Sequence, residues 1–164
     1  MKKFFFILAA ATALVACNQN KPVTPEEQKK ADFAKAHYFE VLGTNTVPSE
    51  NYTQDSVVAY AYVQDDEVII DLYGVGFSAR MPLTIDMTIE NINYTRTAER
   101  ITLSGDNIVP MMGEKPFDRY LITGLNGYIT PDSLVINNAY GSFVGCKYAG
   151  KITKMEESST DFDE

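Results

Sequence analysis

The feature that most constrains the fold of this chain is an alternation of apolar and polar residues with a period of two. It is clearest from Leu83 to Glu90, where Leu, Ile, Met and Ile alternate with Thr, Asp, Thr and Glu. Successive side chains of a β-strand point to opposite faces, so the pattern predicts a strand with one buried face. Val58, Tyr60 and Tyr62 share the same parity and are expected on one face of a second strand.

Other apolar runs bring the total to about eight predicted strands, separated by Gly, Asn, Pro and Asp. These further strands centre on Tyr38 to Leu42, Val68 to Tyr73, Ile101 to Leu103, Tyr120 to Thr123, Leu134 to Ile136 and Phe143 to Thr153. No helical segment of crossover length lies between them, which favours antiparallel strands in an all-β sandwich or closed barrel. The interior of an eight-stranded barrel is filled by side chains or holds one small ligand.

The N-terminus has the pattern of a secretory signal peptide, expected over residues 1–16. Lys2 and Lys3 precede an almost unbroken apolar run of twelve residues (4–15), shorter than the roughly 20 that a membrane-spanning helix needs. The run ends in Leu14-Val15-Ala16-Cys17, which resembles the lipobox of bacterial lipoproteins. The resemblance implies cleavage before Cys17 and lipidation of its thiol. The alternative is an ordinary cleaved signal peptide followed by an unrelated cysteine.

The lipobox also implies a mature chain of 148 residues, since 164 − 16 = 148. Its net charge is −10, from 12 basic and 22 acidic residues. Several acyl chains on Cys17 attach a protein stably to a lipid bilayer. Anionic headgroups repel an acidic domain, so the lipid is the expected membrane contact. The same acidity argues against nucleic acid as a partner, because nucleic-acid binders need a basic surface.

The remaining segments complete the predicted organisation of the chain. Residues 17–24 are polar and predict a lipidated tether. Thr24-Pro25-Glu26-Glu27 combines an N-cap threonine, a proline at the first helical position and a capping-box glutamate, so a short helix is expected over 25–36. The barrel-sized strand region covers 37–154. The segment 155–164 contains five acidic residues and no periodic pattern, which predicts a disordered, solvated tail.

The motifs of catalytic, metal and cofactor sites are absent or incomplete, so we expect no enzyme and no cofactor. The single histidine, His37, stands at the predicted helix–strand junction, a poor position for a catalytic base. Residues 74–79 fit G-x-G-x-x-A, but no helix follows to bind a phosphate, so a strand bend is expected. Asp65, Asp66 and Glu67 lack the spacing of a calcium loop and favour a solvated turn.

Cys146 and the tyrosines are the other residues that the sequence singles out. Cys146 shares strand parity with Tyr148, which predicts a buried free thiol, since Cys17 is committed to lipid. Tyrosines at a barrel mouth can stack on a sugar, a haem-like group or a lipid. The alternative is ordinary strand composition, because tyrosine favours strands and cross-strand pairs. The candidate ligand-binding tyrosines are Tyr60, Tyr62, Tyr73, Tyr120 and Tyr148.

Loose motifs along the strand region point to a known family. They are Tyr38 to Thr44, Asp66 to Tyr73, Met81-Pro82-Leu83 leading to Ile89-Glu90-Asn91-Ile92, Gly124-Leu125-Asn126-Gly127 before Asp132-Ser133-Leu134, and Tyr148-Ala149-Gly150. On these residues, the span from Tyr38 to Thr153 resembles the calycin-like β-barrel lipoproteins of Bacteroidetes. The resemblance implies an antiparallel barrel of lipocalin-like shape, and it implies no assigned activity. The Gly-x-Trp signature of true lipocalins is missing, since the chain has no tryptophan.

Two short motifs resemble the O-glycosylation sequence of these bacteria, Asp followed by Ser or Thr and an apolar residue. They are Asp55-Ser56-Val57 and Asp132-Ser133-Leu134, with Ser56 and Ser133 as the acceptors. The residues after Cys17 lack the acidic cluster that resembles a surface-export signal. This favours an outer-membrane lipoprotein that faces the periplasm over one that faces the cell surface.

Two functions therefore stand as hypotheses. The first is a membrane-anchored, non-catalytic binding module that holds a small apolar or glycan-like ligand in the interior or the mouth of the barrel. The second is a structural or interaction protein of the cell envelope, with a filled barrel and no small ligand, whose outer surface engages envelope proteins. The volume available inside the barrel or at its mouth separates them.

Overall fold

The computed structural model describes residues 22–141 and 143–157 of the chain. The predicted signal peptide, Cys17 and residues 158–164 lie outside the described residues. The described elements are α1 (Pro25–Lys35), β1 (Ala36–Val47), β2 (Tyr52–Val63), β3 (Val68–Val75), β4 (Ile85–Arg96), β5 (Ile101–Gly105), β6 (Met111–Met112), β7 (Lys115–Pro116), β8 (Ile122–Ile129), β9 (Ser133–Tyr140) and β10 (Phe143–Glu157). Pro48–Glu50 and Asp118–Tyr120 each form a short 3-10 turn.

Eight of these strands close into an antiparallel barrel. Their order is β3-β2-β1-β10-β9-β8-β5-β4, and β3 pairs with β4 to complete the circle. The small hairpin of β6 and β7 is attached to β4 through the pair of Thr88 and Met111. The prediction of an all-β antiparallel fold with about eight strands and a short N-terminal helix is confirmed. The sequence left barrel and sandwich open, and the β3–β4 pairing decides for the barrel.

The alternation predicted for β4 holds, but the strand starts two residues later than expected. β4 begins at Ile85, and Met87 and Ile89 point into the core. Leu83 precedes the strand and is 77% exposed. Residue types still alternate at Leu83 and Thr84, but these two residues precede Ile85, which pairs with Val75 at the end of the β3–β4 pairing. Near this end, Gly74 introduces a bulge into β3.

The interior of the barrel is packed with apolar side chains. Every second residue is buried from Val57 to Val63 in β2 and from Val68 to Leu72 in β3, as expected for strands with one face towards a core. The largest fully buried side chains include Phe33, Phe39, Phe77, Ile70, Ile89, Ile92, Ile101, Leu103, Ile122, Ile129, Leu134 and Ile136. Cys146 is a buried free cysteine, as predicted, and burial raises the pKa of its thiol.

Helix α1 covers the end of the barrel at which β1 begins. The predicted capping box is present: the Glu27 backbone N–H donates to Thr24 Oγ1 over 3.2 Å, and the Thr24 N–H donates to Glu27 Oε2 over 2.9 Å. Phe33 is fully buried against Phe39, with ring centroids 5.7 Å apart. Arg96, at the end of β4, donates to the Phe33 carbonyl over 2.5 Å, so it ties the helix to the barrel wall.

Strand β10 extends to Glu157, three residues into the predicted tail. Glu156 pairs with Tyr38 and Glu157 with Ala36, so the start of β1 supplies backbone partners that acidic composition does not reveal. The tail predicted over 155–164 therefore begins no earlier than residue 158.

Candidate functional site

A cleft of about 600 Å³ opens at the end of the barrel opposite α1. It lies between the segment that follows β3, the segment that precedes β8, and the start of β10. Small-molecule sites typically have volumes of roughly 300–1,000 Å³, so this cleft is of ligand size. Its lining residues are Glu50, Ser78, Arg80, Met81, Pro82, Leu83, Thr84, Ile85, Met112, Phe117, Arg119, Tyr120 and Phe143.

Aromatic rings form the floor of the cleft. The ring centroids of Phe117 and Tyr120 lie 4.7 Å apart, and those of Tyr120 and Phe143 lie 6.1 Å apart. Beneath them lies the fully buried ring of Phe77, whose centroid is 4.8 Å from the ring centroid of Tyr120 and 5.7 Å from that of Phe143. The ring centroid of Phe77 also lies 5.0 Å from that of Tyr140. Together these rings form an aromatic layer between the cleft and the packed interior.

Apolar side chains at the rim of the cleft remain exposed to solvent. Leu83 is 77% exposed and Met112 is 42% exposed, and both line the cleft beside the half-buried Met81. Isolated apolar residues are common on protein surfaces, whereas several around one concave site indicate a binding surface. Methionine also adapts its shape to different ligands. The sequence pattern predicted Leu83 in the core of a strand, included Met81 only in a family motif, and did not single out Met112.

Two arginines supply positive charge to the cleft. Arg80 lies in the segment after β3, where its backbone N–H donates to Ser78 Oγ over 3.2 Å. Arg119 lies in the 3-10 turn before β8, next to Tyr120 of the floor. Both are exposed and line the cleft together with one carboxylate, Glu50. The sequence offers no motif that brings these two arginines together, because they belong to different loops.

The five predicted ligand-binding tyrosines do not converge on one site. Tyr120 belongs to the floor of the cleft. Tyr148 is buried in the interior, where its hydroxyl donates to the Val57 carbonyl over 3.0 Å, and burial raises its pKa. Tyr60, Tyr62 and Tyr73 point outwards from the barrel wall. Strand parity explains the division, since the residues on either side of Tyr60 are buried.

The outward tyrosines form an aromatic row on the outer surface of β1, β2 and β3, together with Tyr38. The ring centroids of Tyr38 and Tyr62 lie 5.4 Å apart, those of Tyr38 and Tyr60 5.9 Å, and those of Tyr60 and Tyr73 5.5 Å. Burial raises the pKa of Tyr38 to about 12, and the Asp71 carboxylate raises that of Tyr73. The row therefore presents neighbouring aromatic rings beside the Asp71 carboxylate.

The other sequence motifs have structural roles. Gly74 has a φ of +65° and lies at a shift in the pairing of β3 with β4, which confirms the strand bend predicted for the G-x-G-x-x-A segment. Glu67 accepts a hydrogen bond from the Asn91 backbone N–H over 2.5 Å and so stabilises its turn. His37 is exposed, with Nδ1 2.8 Å from the Lys35 carbonyl. The described residues contain no group of three or more side chains suited to a metal ion.

The two predicted glycosylation serines differ in accessibility. Ser56 is exposed on β2, with a φ of +60°. Ser133 is half-buried and its hydroxyl lies 3.0 Å from that of Thr130, so the local turn already engages it. Cys17, the predicted lipidation site, lies outside the described residues.

A comparison of the chain with models of protein families, with curated proteins and with solved structures finds no match. Within residues 22–141 and 143–157, no helix combines the length and the apolar composition needed to cross a membrane. The fold and the cleft together define the class: an eight-stranded antiparallel barrel, covered at one end by a helix, with a ligand-sized cleft at the other.

Proposed function

We propose that this protein is a membrane-anchored, non-catalytic binding protein that holds a small apolar ligand in the cleft at the open end of the barrel. The observation that carries the proposal is the cleft itself, about 600 Å³ in volume, with an aromatic floor and exposed apolar residues at its rim. The eight-stranded barrel is consistent with the calycin-like fold that the sequence resembles.

The packing of the molecule favours the mouth of the barrel over the interior as the ligand site. Phe33 and α1 fill the helix end, and Phe77 with its aromatic neighbours fills the space below the cleft. A ligand in the interior would have to displace these rings, at the expense of their packing. A ligand in the cleft instead covers Leu83 and Met112, which are exposed without it.

Titration with a neutral fluorescent probe, N-phenyl-1-naphthylamine, tests ligand binding. The chain from residue 18 onward contains every described element, so it keeps the whole barrel. We expect saturable binding that weakens about tenfold in Leu83→Asp, equivalent to about 1.4 kcal/mol, because a charge then faces the apolar ligand. Leu42→Asp is the matched control, since Leu42 is 47% exposed and lies outside the cleft. Absence of saturable binding, or equal weakening in both variants, contradicts the proposal.

Lipid attachment through Cys17 is the second part of the proposal, and it rests on the lipobox pattern. We expect Cys17→Ala to abolish acylation and to release the protein from the membrane fraction, because no other segment predicts a membrane anchor. The control is Cys146→Ala, which removes the other cysteine of the chain and should leave attachment intact. Fractionation and intact-mass measurement report the outcome. A Cys17→Ala protein that remains membrane-bound at the wild-type level refutes the anchor.

The anchor also bears on the location of the domain. In this proposal, the domain lies on the periplasmic side of the outer membrane, as favoured by the residues that follow Cys17. Of the two predicted glycosylation serines, the exposed Ser56 is the better acceptor, because the half-buried Ser133 hydroxyl already lies 3.0 Å from the Thr130 hydroxyl within its turn.

A second function, as an interaction protein of the cell envelope, is favoured by the row of outward tyrosines on β1, β2 and β3. Tyrosine is enriched at protein interfaces, and the exposed Leu42 extends this outer surface. The packed interior fits this function as well. The probe titration separates the two functions, since a correctly folded chain that binds no apolar probe supports the interaction protein.

A further inference from the structure

We propose that the ligand of the cleft is an amphiphile with an acidic head, a carboxylate or a phosphate, and that Arg80 and Arg119 bind this head. The inference rests on the proposed function and names the chemical class of its ligand. It follows from the partners of the arginines and from the chemistry of the cleft.

The chain contains four arginines, and two of them have structural partners. Arg96 donates to the carbonyl oxygens of Phe33 and Ala36, at 2.5 and 2.7 Å. The guanidinium carbon of Arg100 lies 4.0 Å from the ring centroid of Tyr128, a cation–π contact. These two arginines hold the helix end of the barrel together.

Arg80 and Arg119, at the opposite end, are different. Both line the cleft, and in the described part of the chain neither guanidinium donates a hydrogen bond or lies within 4.0 Å of a carboxylate. Glu50 lines the same cleft without pairing with either of them. An acidic protein with a net charge of −8 thus places two unpaired positive charges at one concave site.

The lysines near α1 and at the end of β10 show that acidic partners are available elsewhere in this molecule. Lys29, Lys30, Lys35 and Lys154 each lie in an ion pair with an aspartate or a glutamate. In the described part of the chain, Lys115, Lys147 and Lys151 also lack such a partner, but they lie outside the cleft lining, whereas both unpaired arginines line it. A ligand that enters the cleft with a negative charge would supply the missing partner.

The chemistry of the lining indicates where each part of the ligand binds. The floor of Phe117, Tyr120 and Phe143 is apolar and suits a hydrocarbon or ring system. The planar guanidinium fork binds carboxylate or phosphate oxygens through two parallel hydrogen bonds. An amphiphile satisfies both, with its apolar part on the floor and its acidic head between Arg80 and Arg119.

Displacement of the neutral probe by three ligands of equal chain length tests the proposal. Dodecanoic acid and dodecyl phosphate carry the acidic head, and dodecanol has the same tail without charge. We expect at least one acidic ligand to bind about tenfold more tightly than dodecanol, with an advantage that decreases at high salt. The stronger of the two acids identifies the head as a carboxylate or a phosphate.

The double variant Arg80→Gln, Arg119→Gln should reduce the preference for the acids over dodecanol to about one, because both charged partners of the acidic head are removed. The matched control is Lys147→Gln, Lys151→Gln, which removes two positive charges on β10 away from the cleft. If dodecanol displaces the probe as well as both acids do, or if the arginine variant keeps the preference, the acidic head is refuted while ligand binding stands. If no ligand displaces the probe and the probe itself does not bind, the proposed function fails.

Discussion

Replacing Leu103 with aspartate is expected to unfold the barrel. Leu103 is 1% exposed and lies on β5, where it pairs with Tyr94 of β4 on one side and Gly127 of β8 on the other. A carboxylate at this position would be buried in the packed interior without a partner, which costs more than about 4 kcal/mol. A domain of this size has a stability of about 5–15 kcal/mol, so most or all of it would be lost.

Thr102→Asp is the matched control for this experiment. Thr102 precedes Leu103 on the same strand and faces the solvent, so the same introduced carboxylate remains hydrated. We expect its effect on the free energy of unfolding to stay within about 1 kcal/mol. Urea unfolding followed by circular dichroism measures both variants, and equal losses of stability would contradict the inward orientation of Leu103.

Gly43→Ala is expected to destabilise the barrel by about 3 kcal/mol through overpacking. Gly43 lies opposite Gly150 where β1 pairs with β10, and the ring of Tyr148 covers it. A Cβ atom at Gly43 would lie 2.6 Å from both the Ala149 carbonyl oxygen and the Gly150 Cα. These are backbone atoms, so relief requires a distortion of the pairing between the two strands.

Gly113→Ala provides a glycine control in open space. No atom lies within 4 Å of a Cβ at Gly113, but its φ of +62° makes any side chain unfavourable by about 1–2 kcal/mol. Gly43 has no such positive φ, so a loss of stability larger at Gly43 than at Gly113 must come from the steric conflict at the β1–β10 pairing. If Gly43→Ala unfolds at the same urea concentration as Gly113→Ala, then β1 and β10 accommodate the added methyl group, and the predicted steric conflict is wrong.

Tyr148 illustrates why a candidate residue can have a structural role. Sequence reasoning offered it as a ligand-binding aromatic, yet its ring covers Gly43 and its hydroxyl donates to the Val57 carbonyl of β2. An aromatic side chain over a strand glycine restores packing that the glycine lacks. Tyr148 therefore connects β10 to its neighbours inside the barrel and lies outside the cleft lining.

Local pattern predicted some elements well and others poorly. The capping box at Thr24 and the alternation through Met87 and Ile89 both depend on neighbouring residues, and both are present in the structure. The two-residue strands β6 and β7 are too short to show alternation and were missed. Leu83 was misplaced because its apolar side chain belongs to the cleft rim, where no strand periodicity applies.

The sequence by itself determined the all-β class and the capped helix, because side-chain periodicity and capping act over a few residues. Only the tertiary structure decided the closure of β3 on β4 and the division of the tyrosines between the cleft, the interior and the outer wall. It alone brings Arg80 and Arg119 to one cleft. The reason is physical: closure and the paths of the loops depend on contacts between distant residues, which local patterns do not encode.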